Sequence, residues 1–278
     1  MTLSAAQLAD YRRDGFLVLE GFAAESTCDR LRARMDELLA GFDVEGVRTV
    51  FATDDQRHAQ DDWFLDSGDQ LRFFFEPGAF DGQGRLRQPK ELSINKVGHA
   101  LHDLDPVFAA FSRDPSLAAL ARALGLARPL LLQSMYIFKQ PRIGGEVVCH
   151  QDSSFLWTDP PSCVGLWLAI EAATEANGCM WAEPGGHRRP LHQRFVREGR
   201  RTRMVTLDPA PLPTEGLVPL PAAKGTLIVL HGHLPHRSGP NLSDRSRHAF
   251  ALHLIDGACG YAADNWLRRG DDLPLRGF

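Results

Sequence analysis

Two apolar runs in the stretch KGTLIVLHGHLPHRSGPNLSDRSRHAFALHLID, residues 224–256, decide the fold class. The runs TLIVL and AFALHL are short and contain aromatic or β-branched side chains, and Gly, Pro, Asn and Asp separate them. Runs of this kind predict buried β-strands joined by turns. Three histidines, His231, His233 and His236, lie in the six residues that follow the first run. The stretch therefore predicts two strands with a histidine-rich turn between them.

The same pattern extends over the second half of the chain. Three further segments predict short strands: PLLLQSMYIFKQ (129–140), CVGLWLAIEAA (163–173) and GCMWAEPG (178–185). Asn177-Gly178 is typical of a hairpin turn between two of these strands. The Pro-rich segment 207–221 predicts a loop over the mouth of a barrel. Because these strands do not alternate with helices, a βαβ nucleotide-binding fold is disfavoured.

The first 128 residues predict mainly helices, with one short strand at FLVLEGF. Ser4 is a good N-cap for a helix that ends at Gly15, and Gly41 closes a second helix. Apolar residues at helical spacing predict the core face of the second helix: Leu31, Met35, Leu38 and Leu39. Two more helices are predicted over residues 97–114 and from Pro115.

The fold class predicted from these segments is α+β, mainly β. We expect a double-stranded β-helix, a jelly-roll barrel like that of the cupins, buttressed by the N-terminal helices. A single domain would span residues 1–278, with the helical part over 1–128 and the barrel core over 129–256.

Composition excludes several classes of protein. The chain has 278 residues, of which 44% are hydrophobic and 24% charged, and its formal net charge is −4. This mild acidity makes nucleic acid an unlikely partner, because nucleic-acid binding needs a basic face. No apolar run approaches a membrane span, and the N-terminus lacks a hydrophobic signal core, so a cytoplasmic location is predicted. Five widely spaced cysteines without a Cys-x-x-Cys pair indicate neither a zinc knuckle nor a disulfide framework.

A candidate metal site begins in GGEVVCHQDSSFL, residues 144–156. In a strand, His150 and Asp152 would point to the same face, which allows both to bind one metal ion. An isolated His-x-Asp is more typical of a surface turn, but the histidines of 231–236 supply a further ligand. Two imidazoles and one carboxylate suit non-haem Fe(II) and leave three positions open, whereas zinc usually takes another nitrogen or sulfur ligand.

A 2-oxo acid can fill two of the open positions, and its far carboxylate then needs a cation. Arg245, nine residues after His236, lies at the start of the final predicted strand. Its guanidinium can bind a carboxylate through two parallel hydrogen bonds. Arg247 lies two residues further and can share that face, and a surface position is the alternative for both arginines.

The motifs VCHQDSSFL, EANGCMWAEPGGH and HGHLPHRSGPNLSDRSR resemble the iron and cosubstrate motifs of the phytanoyl-CoA dioxygenase family. The stretches DGFLVLEGF, SINKVGHALHDLDPVF and QSMYIFKQP resemble in particular its subgroup of phytanoyl-CoA dioxygenase domain-containing proteins. The resemblance covers about residues 8–266. It implies a double-stranded β-helix and an enzyme that uses Fe(II), 2-oxoglutarate and O2 to hydroxylate a substrate, releasing succinate and CO2.

The resemblance also implies roles for single residues. His150, Asp152 and His236 would hold the iron, and Arg245 would bind the distal carboxylate of 2-oxoglutarate. Three more residues would line the cosubstrate pocket: Lys96, Met135 and Trp167. Their residue types alone would indicate a solvated lysine and two core side chains. Related iron halogenases have a small residue in place of the carboxylate, so Asp152 favours hydroxylation.

The substrate is less determined by the sequence. A small organic molecule or an acyl group is expected, and the basic segment 187–203 can be read as a coenzyme A phosphate site or as a solvated loop. The aromatic residues Phe73, Phe74, Phe75, Trp157 and Trp181 can line a pocket or pack in the core. Two alternatives remain: a jelly-roll protein that binds metal without catalysis, and a metal-dependent hydrolase on a cupin-like barrel.

Overall fold

A computed structural model describes residues 3–53 and 61–278 of the chain. Within these ranges the helices are α1 (Ala5–Asp14), α2 (Glu25–Ala40), α3 (Asp62–Leu65), α4 (Leu101–Leu104), α5 (Pro106–Ser112) and α6 (Pro115–Ala123). The strands are β1 (Phe16–Leu19), β2 (Leu71–Phe75), β3 (Ile94–His99), β4 (Pro129–Ile137), β5 (Val147–His150), β6 (Thr158–Asp159), β7 (Val164–Ala169), β8 (Met180–Ala182), β9 (Gln193–Glu198), β10 (Arg201–Thr206), β11 (Val218–Leu220), β12 (Leu227–His231), β13 (His236–Ser238), β14 (Ala249–Asp256), β15 (Gly260–Tyr261) and β16 (Arg276–Gly277).

Two antiparallel sheets dominate the described part of the chain. The larger sheet has the strand order β1-β12-β7-β14-β4-β3-β2, and β16 also pairs with β4. The smaller sheet has the order β11-β8-β13-β5. Strands β9 and β10 form a separate hairpin, and β15 pairs with β6. All five strands predicted from the second half of the sequence are present, and they are divided between the two main sheets.

The N-terminal segment attaches to the larger sheet through both helices and strands. Ser4 and Gln7 form the reciprocal hydrogen bonds of a capping box at the start of α1, and Gly15 ends the helix in the left-handed conformation, φ 82°. Strand β1 then pairs with β12 at the edge of the sheet. Helix α2 buries Leu31, Met35 and Leu39 in the core, as its periodicity predicts.

Residues 97–114 differ from the single helix predicted there. Val97, Gly98 and His99 belong to β3, which extends the larger sheet beyond β4. Two short helices, α4 and α5, follow, and Asp105 caps α5 with Pro106 in its first turn. Because β3 is buried along nearly all of its length, it lacks the alternation by which a strand is recognised in a sequence.

Two turn predictions also need correction. Asn177-Gly178 forms a turn, with Gly178 at φ 84°, but β7 and β8 on either side of it lie in different sheets and do not form a hairpin. Segment 207–221 contains β11, which pairs with β8. None of its residues lines the cavity described below.

The aromatic run Phe73–Phe75 lies in the core. Phe74 and Phe75 are fully buried, and Phe73 stacks on Phe42 with ring centroids 4.1 Å apart. Burying a phenylalanine side chain stabilises a fold by about 1.5–3 kcal/mol, so this run helps to fix β2 on the sheet. In residues 3–53 and 61–278, no helix has the length and apolar character that a membrane crossing requires.

Candidate metal centre

Two imidazoles are brought together by the pairing of β5 with β13 in the smaller sheet. His150 and His236 are direct cross-strand partners, and their ring centroids lie 4.3 Å apart. The Nδ1 of His150 donates to the carbonyl of Val148 at 2.9 Å, and the Nδ1 of His236 donates to that of Leu234 at 3.0 Å. These backbone bonds fix the tautomer, so both Nε2 atoms have a lone pair to offer a metal ion.

The carboxylate of Asp152 completes the group. Its Oδ1 lies 3.5 Å from Nε2 of His150 and 3.6 Å from Nε2 of His236, and one ligand atom from each residue lies within 4.8 Å of the others. Strand β5 ends at His150, and Asp152 begins a 3₁₀ turn, Asp152–Ser154. The two side chains therefore converge through a turn and not, as we predicted, through the alternation of one strand.

The charge states suit a divalent metal ion. Burial alone would raise the pKa of Asp152, but the neighbouring imidazoles of His236 and His253 hold it well below its usual range. Burial and the proximity of His150 lower the pKa of His236 to about 4. Burial disfavours the charged form of His150 as well, but the hydrogen bond to Asp152 outweighs it and raises the pKa of His150. At neutral pH the group thus presents an ionised carboxylate beside a neutral His236, and a bound metal ion would take the place of the proton that Asp152 favours on His150.

These three residues lie on the wall of a cavity of about 220 Å³ between the two sheets. Lys96, Met135 and Trp167, which the sequence predicts in a cosubstrate pocket, line the same cavity. Lys96 is buried, with its ammonium 3.6 Å from Sδ of Met135 and 3.3 Å from the ring centroid of Phe51. Burial lowers the pKa of Lys96 well below its usual value.

Arg245 is exposed and is not among the residues that line the cavity, so the structure does not support its predicted contact with the cosubstrate. It lies in the turn before β14, where its carbonyl accepts hydrogen bonds from Asn241 and Ser243, and the residue is exposed. Arg247 lines the cavity instead and is 2% exposed. The turn continues past Arg245, so the alternation that aims side chains into the cavity begins only at Arg247.

The guanidinium of Arg247 has unused hydrogen-bonding capacity. Its Nη2 donates to Ser238 Oγ at 3.4 Å, but Nε and Nη1 are buried without a partner among the described residues. The guanidinium carbon lies 5.1 Å from the ring centroid of Trp167. A buried donor without an acceptor is costly, so this group is suited to receive an anion.

A second cation, Lys139, lies beside Arg247. Its Nζ donates to Ser238 Oγ at 2.7 Å and to the carbonyl of Gly145 at 2.8 Å. Burial and the charge of Arg247 lower the pKa of Lys139 to about 7. Nothing in the sequence around Lys139 distinguishes it from a surface lysine.

Other parts of the cavity were also missed at the sequence level. Besides Trp167, the aromatic residues on its wall are Phe51, Phe64, Phe155, Phe195 and Trp266, whereas the predicted candidates at 73–75, 157 and 181 lie elsewhere. His253 of β14 lies beside Asp152, with Nε2 3.3 Å from Oδ2. In the sequence His253 is one polar residue in an apolar strand, which indicates nothing about its neighbours. His231 and His233 lie outside the cavity, with ring centroids 5.7 Å apart.

The arginines of segment 187–203 are mostly paired with carboxylates of this chain. Arg189 binds Glu183 through two hydrogen bonds of 2.6 Å, and Arg194 and Arg203 bind Asp264 and Glu198. Arg197 and Arg200 both contact the carboxylate of Asp66. This pairing reduces the net positive charge that the segment presents to solvent.

Comparison with known proteins agrees with this geometry. The family model described as phytanoyl-CoA dioxygenase (PhyH) matches residues 11–249. The chain is 48% identical over 271 residues to a phytanoyl-CoA dioxygenase of Arabidopsis thaliana, covering 96% of this chain and 94% of the plant protein. It is also 48% identical over 283 residues to phytanoyl-CoA dioxygenase domain-containing protein 1 of Bos taurus, covering 98% and 97% of the two chains.

A solved structure supports the same fold. EctD from S. alaskensis, crystallised with 2-oxoglutarate and 5-hydroxyectoine, superposes with a TM-score of 0.63 at 19% sequence identity. The match covers 96% of this chain and 88% of EctD. Family model, relatives and the His-Asp-His group lead to one conclusion. The chain belongs to the phytanoyl-CoA dioxygenase family, and it is an Fe(II)- and 2-oxoglutarate-dependent oxygenase.

Proposed function

We propose that His150, Asp152 and His236 hold the single Fe(II) of a hydroxylase. The observation that carries this proposal is the convergence of their ligand atoms within 4.8 Å, with both Nδ1 atoms engaged by backbone carbonyls. Two nitrogens and one carboxylate oxygen form a donor set that suits Fe(II) with open positions. Asp152 fills the place that a halogenase leaves for chloride, which supports hydroxylation.

We also infer that the two main sheets are the walls of a double-stranded β-helix within a single domain, residues 1–278. The strands of both sheets are antiparallel, and both sheets contribute to one cavity. The smaller sheet supplies the two histidines, and the larger sheet supplies Trp167 and Met135. Such an arrangement allows metal and cosubstrate to meet between the walls.

Arg247, not Arg245, is our proposed partner for the distal carboxylate of 2-oxoglutarate. Its unpartnered Nη1 and the second N–H of Nη2 lie on one edge of the guanidinium and can bind the two oxygens of a carboxylate. Trp167 supports the guanidinium from one side, and Ser238 contacts it from another. Lys96 and Met135 would line the adjoining part of the pocket, on β3 and β4 of the same larger sheet.

When bound, iron and 2-oxoglutarate supply the oxidising power, since oxidative decarboxylation to succinate and CO2 activates O2 for attack on a C–H bond. The chain contributes placement: His150 and His236 keep their Nε2 atoms fixed, and Asp152 supplies the negative charge. The buried aromatic residues of the cavity wall, including Phe64 and Phe195, exclude water from the reacting groups.

We propose a small, largely apolar organic molecule as the substrate. The aromatic wall and the cavity volume of about 220 Å³ support this class. The internal pairing of most arginines in segment 187–203 weakens the support for a coenzyme A thioester.

The test is O2-dependent conversion of 2-oxoglutarate to succinate by the purified protein with Fe(II). We expect conversion with Fe(II) and none with Zn(II), and we expect His236→Ala to abolish it. His233→Ala is the matched control, because His233 lies in the same turn but outside the cavity. Activity restored by Zn(II) without O2 would indicate a hydrolase. Metal binding without succinate, with every candidate substrate tried, would indicate a non-catalytic protein.

A further inference from the structure

The two oxygens of the Asp152 carboxylate have different surroundings. Oδ1 faces the two Nε2 atoms of His150 and His236, at 3.5 and 3.6 Å. Oδ2 points the other way, toward His253, whose Nε2 lies at 3.3 Å. No hydrogen bond of normal geometry reaches Oδ2 from the described residues, and the atom is buried. Because a buried carboxylate oxygen without a donor is costly, Oδ2 depends on this contact.

Gly165 makes room for Oδ2. A Cβ at this position would lie 2.9 Å from Oδ2 and 3.7 Å from Cδ2 of His253. Gly165 does not have a positive φ, so its backbone conformation does not require glycine. It is the direct cross-strand partner of His253. The missing side chain therefore opens a gap in the larger sheet, and the carboxylate of Asp152 enters it.

The neighbouring strand β4 is irregular opposite His253. The register between β14 and β4 shifts after His253, which pairs with Gln133, while the next residue pairs with Leu131. Leu132 is the extra residue, so β4 contains a bulge opposite His253, while His253 itself faces the cavity like Ala251, two residues earlier on β14. His253 is 7% exposed, and its Nδ1 has no hydrogen-bond partner in the described ranges. The Nε2–H group of His253 can thus donate a hydrogen bond to Oδ2 of Asp152.

We propose that Oδ2 of Asp152 is held in the gap at Gly165 by a hydrogen bond from His253. His253 would then be a positioning residue that leaves only Oδ1 of this carboxylate available to bind iron. The inference rests on the proposed function of the three ligands. If the carboxylate bound iron through both oxygens, it and the two imidazoles would occupy four of the six coordination positions of the metal ion. A chelating 2-oxoglutarate would fill the other two, and no position would remain. A carboxylate held by one oxygen leaves the sixth position open.

The experiment compares three variants with the wild type under anaerobic conditions. His253→Leu removes the donor, His253→Gln keeps an N–H near the position of Nε2, and Gly165→Ala fills the gap without touching the donor. Fe(II) affinity is measured by competition with a chelating dye, and the visible absorption band is recorded after 2-oxoglutarate is added. Removing a side chain that hydrogen-bonds to a metal ligand typically lowers the affinity for the metal ion by about 10- to 100-fold.

We expect His253→Leu and Gly165→Ala each to weaken Fe(II) binding about 10- to 100-fold and to shift or abolish the band. We expect His253→Gln to stay within about threefold of the wild type, since it restores the donor. The proposal is overturned if the Leu and Ala variants both bind Fe(II) like the wild type with an unchanged band. It is also overturned if the Gln variant is as impaired as the Leu variant.

Circular dichroism identifies a variant that does not fold. If His253→Leu is unfolded, Gly165→Ala decides the outcome by the same affinity and spectrum. A wild type that binds neither Fe(II) nor 2-oxoglutarate would contradict the proposed function itself, and this result is distinct from a wild type that binds both while the variants remain unaffected.

Discussion

Replacing Arg247 by methionine tests the assignment of the 2-oxoglutarate carboxylate against the prediction made from sequence. Arg247 is 2% exposed, has two unpartnered donors and is supported by Trp167 at 5.1 Å. Loss of one member of a buried, hydrogen-bonded charge pair costs about 2–5 kcal/mol. At about 1.4 kcal/mol for each factor of ten, the dissociation constant of 2-oxoglutarate should rise by about 30-fold to 4,000-fold.

The matched control is Arg245→Met, the same change two residues earlier. Arg245 is exposed and outside the cavity, and exposed ion pairs contribute about 0–1 kcal/mol. This change should therefore alter the dissociation constant by about fivefold at most. Arg247→Lys keeps the charge but loses the paired hydrogen bonds, and an intermediate loss is expected.

Isothermal titration of 2-oxoglutarate into the anaerobic Fe(II) protein measures all three variants. Fe(II) affinity, determined separately, shows that the metal site of each variant is intact. The reasoning is refuted if Arg245→Met loses the affinity and Arg247→Met keeps it, because burial and cavity position would then not identify the carboxylate partner.

Three further predictions address the ligands, a buried lysine and a helix cap. Asp152→Ala should weaken Fe(II) binding by more than about 100-fold, since it removes the only anionic ligand of the proposed set, and competition with a chelating dye measures this; a loss below tenfold would contradict it. Lys139 has a pKa of about 7 in the fold, so between pH 7 and pH 10 the unfolded chain holds a proton that the folded chain has released. Relative to Lys139→Met, the free energy of unfolding of the wild type should therefore rise with pH by about 1.4 kcal/mol per unit in urea titrations, and a constant difference would count against it. Ser4→Ala should cost about 1 kcal/mol because it removes the capping box, and an unchanged urea midpoint would disprove this.

The parts of the fold that could be predicted from sequence are those with strong local signals. The strands β4, β7, β12 and β14 are apolar runs bounded by turn residues, and tertiary packing reinforces that local preference. Strand β3 was missed because its buried residues lack alternation and continue directly into α4. Pairing between distant strands, such as β7 with β14 and not with β8, leaves no local signal at all.

The candidate site shows the same division. His150 and Asp152 were found because two ligand-type residues lie two apart, although a turn and not a strand brings them together. Arg247 was ranked below Arg245 because the sequence does not show where the turn ends and the alternation of β14 begins. His253 and Gly165 could not be found, since their roles depend on a cross-strand pairing and on the approach of Asp152 from another part of the chain.

The absorption spectrum of the anaerobic protein with Fe(II) and 2-oxoglutarate tests most directly whether His150, Asp152 and His236 hold one iron ion beside its cosubstrate. We predict a weak visible charge-transfer band that needs both additions and is lost in Asp152→Ala. A spectrum without this band in the wild type, or with the same band in Asp152→Ala, would contradict the assignment of the three ligands.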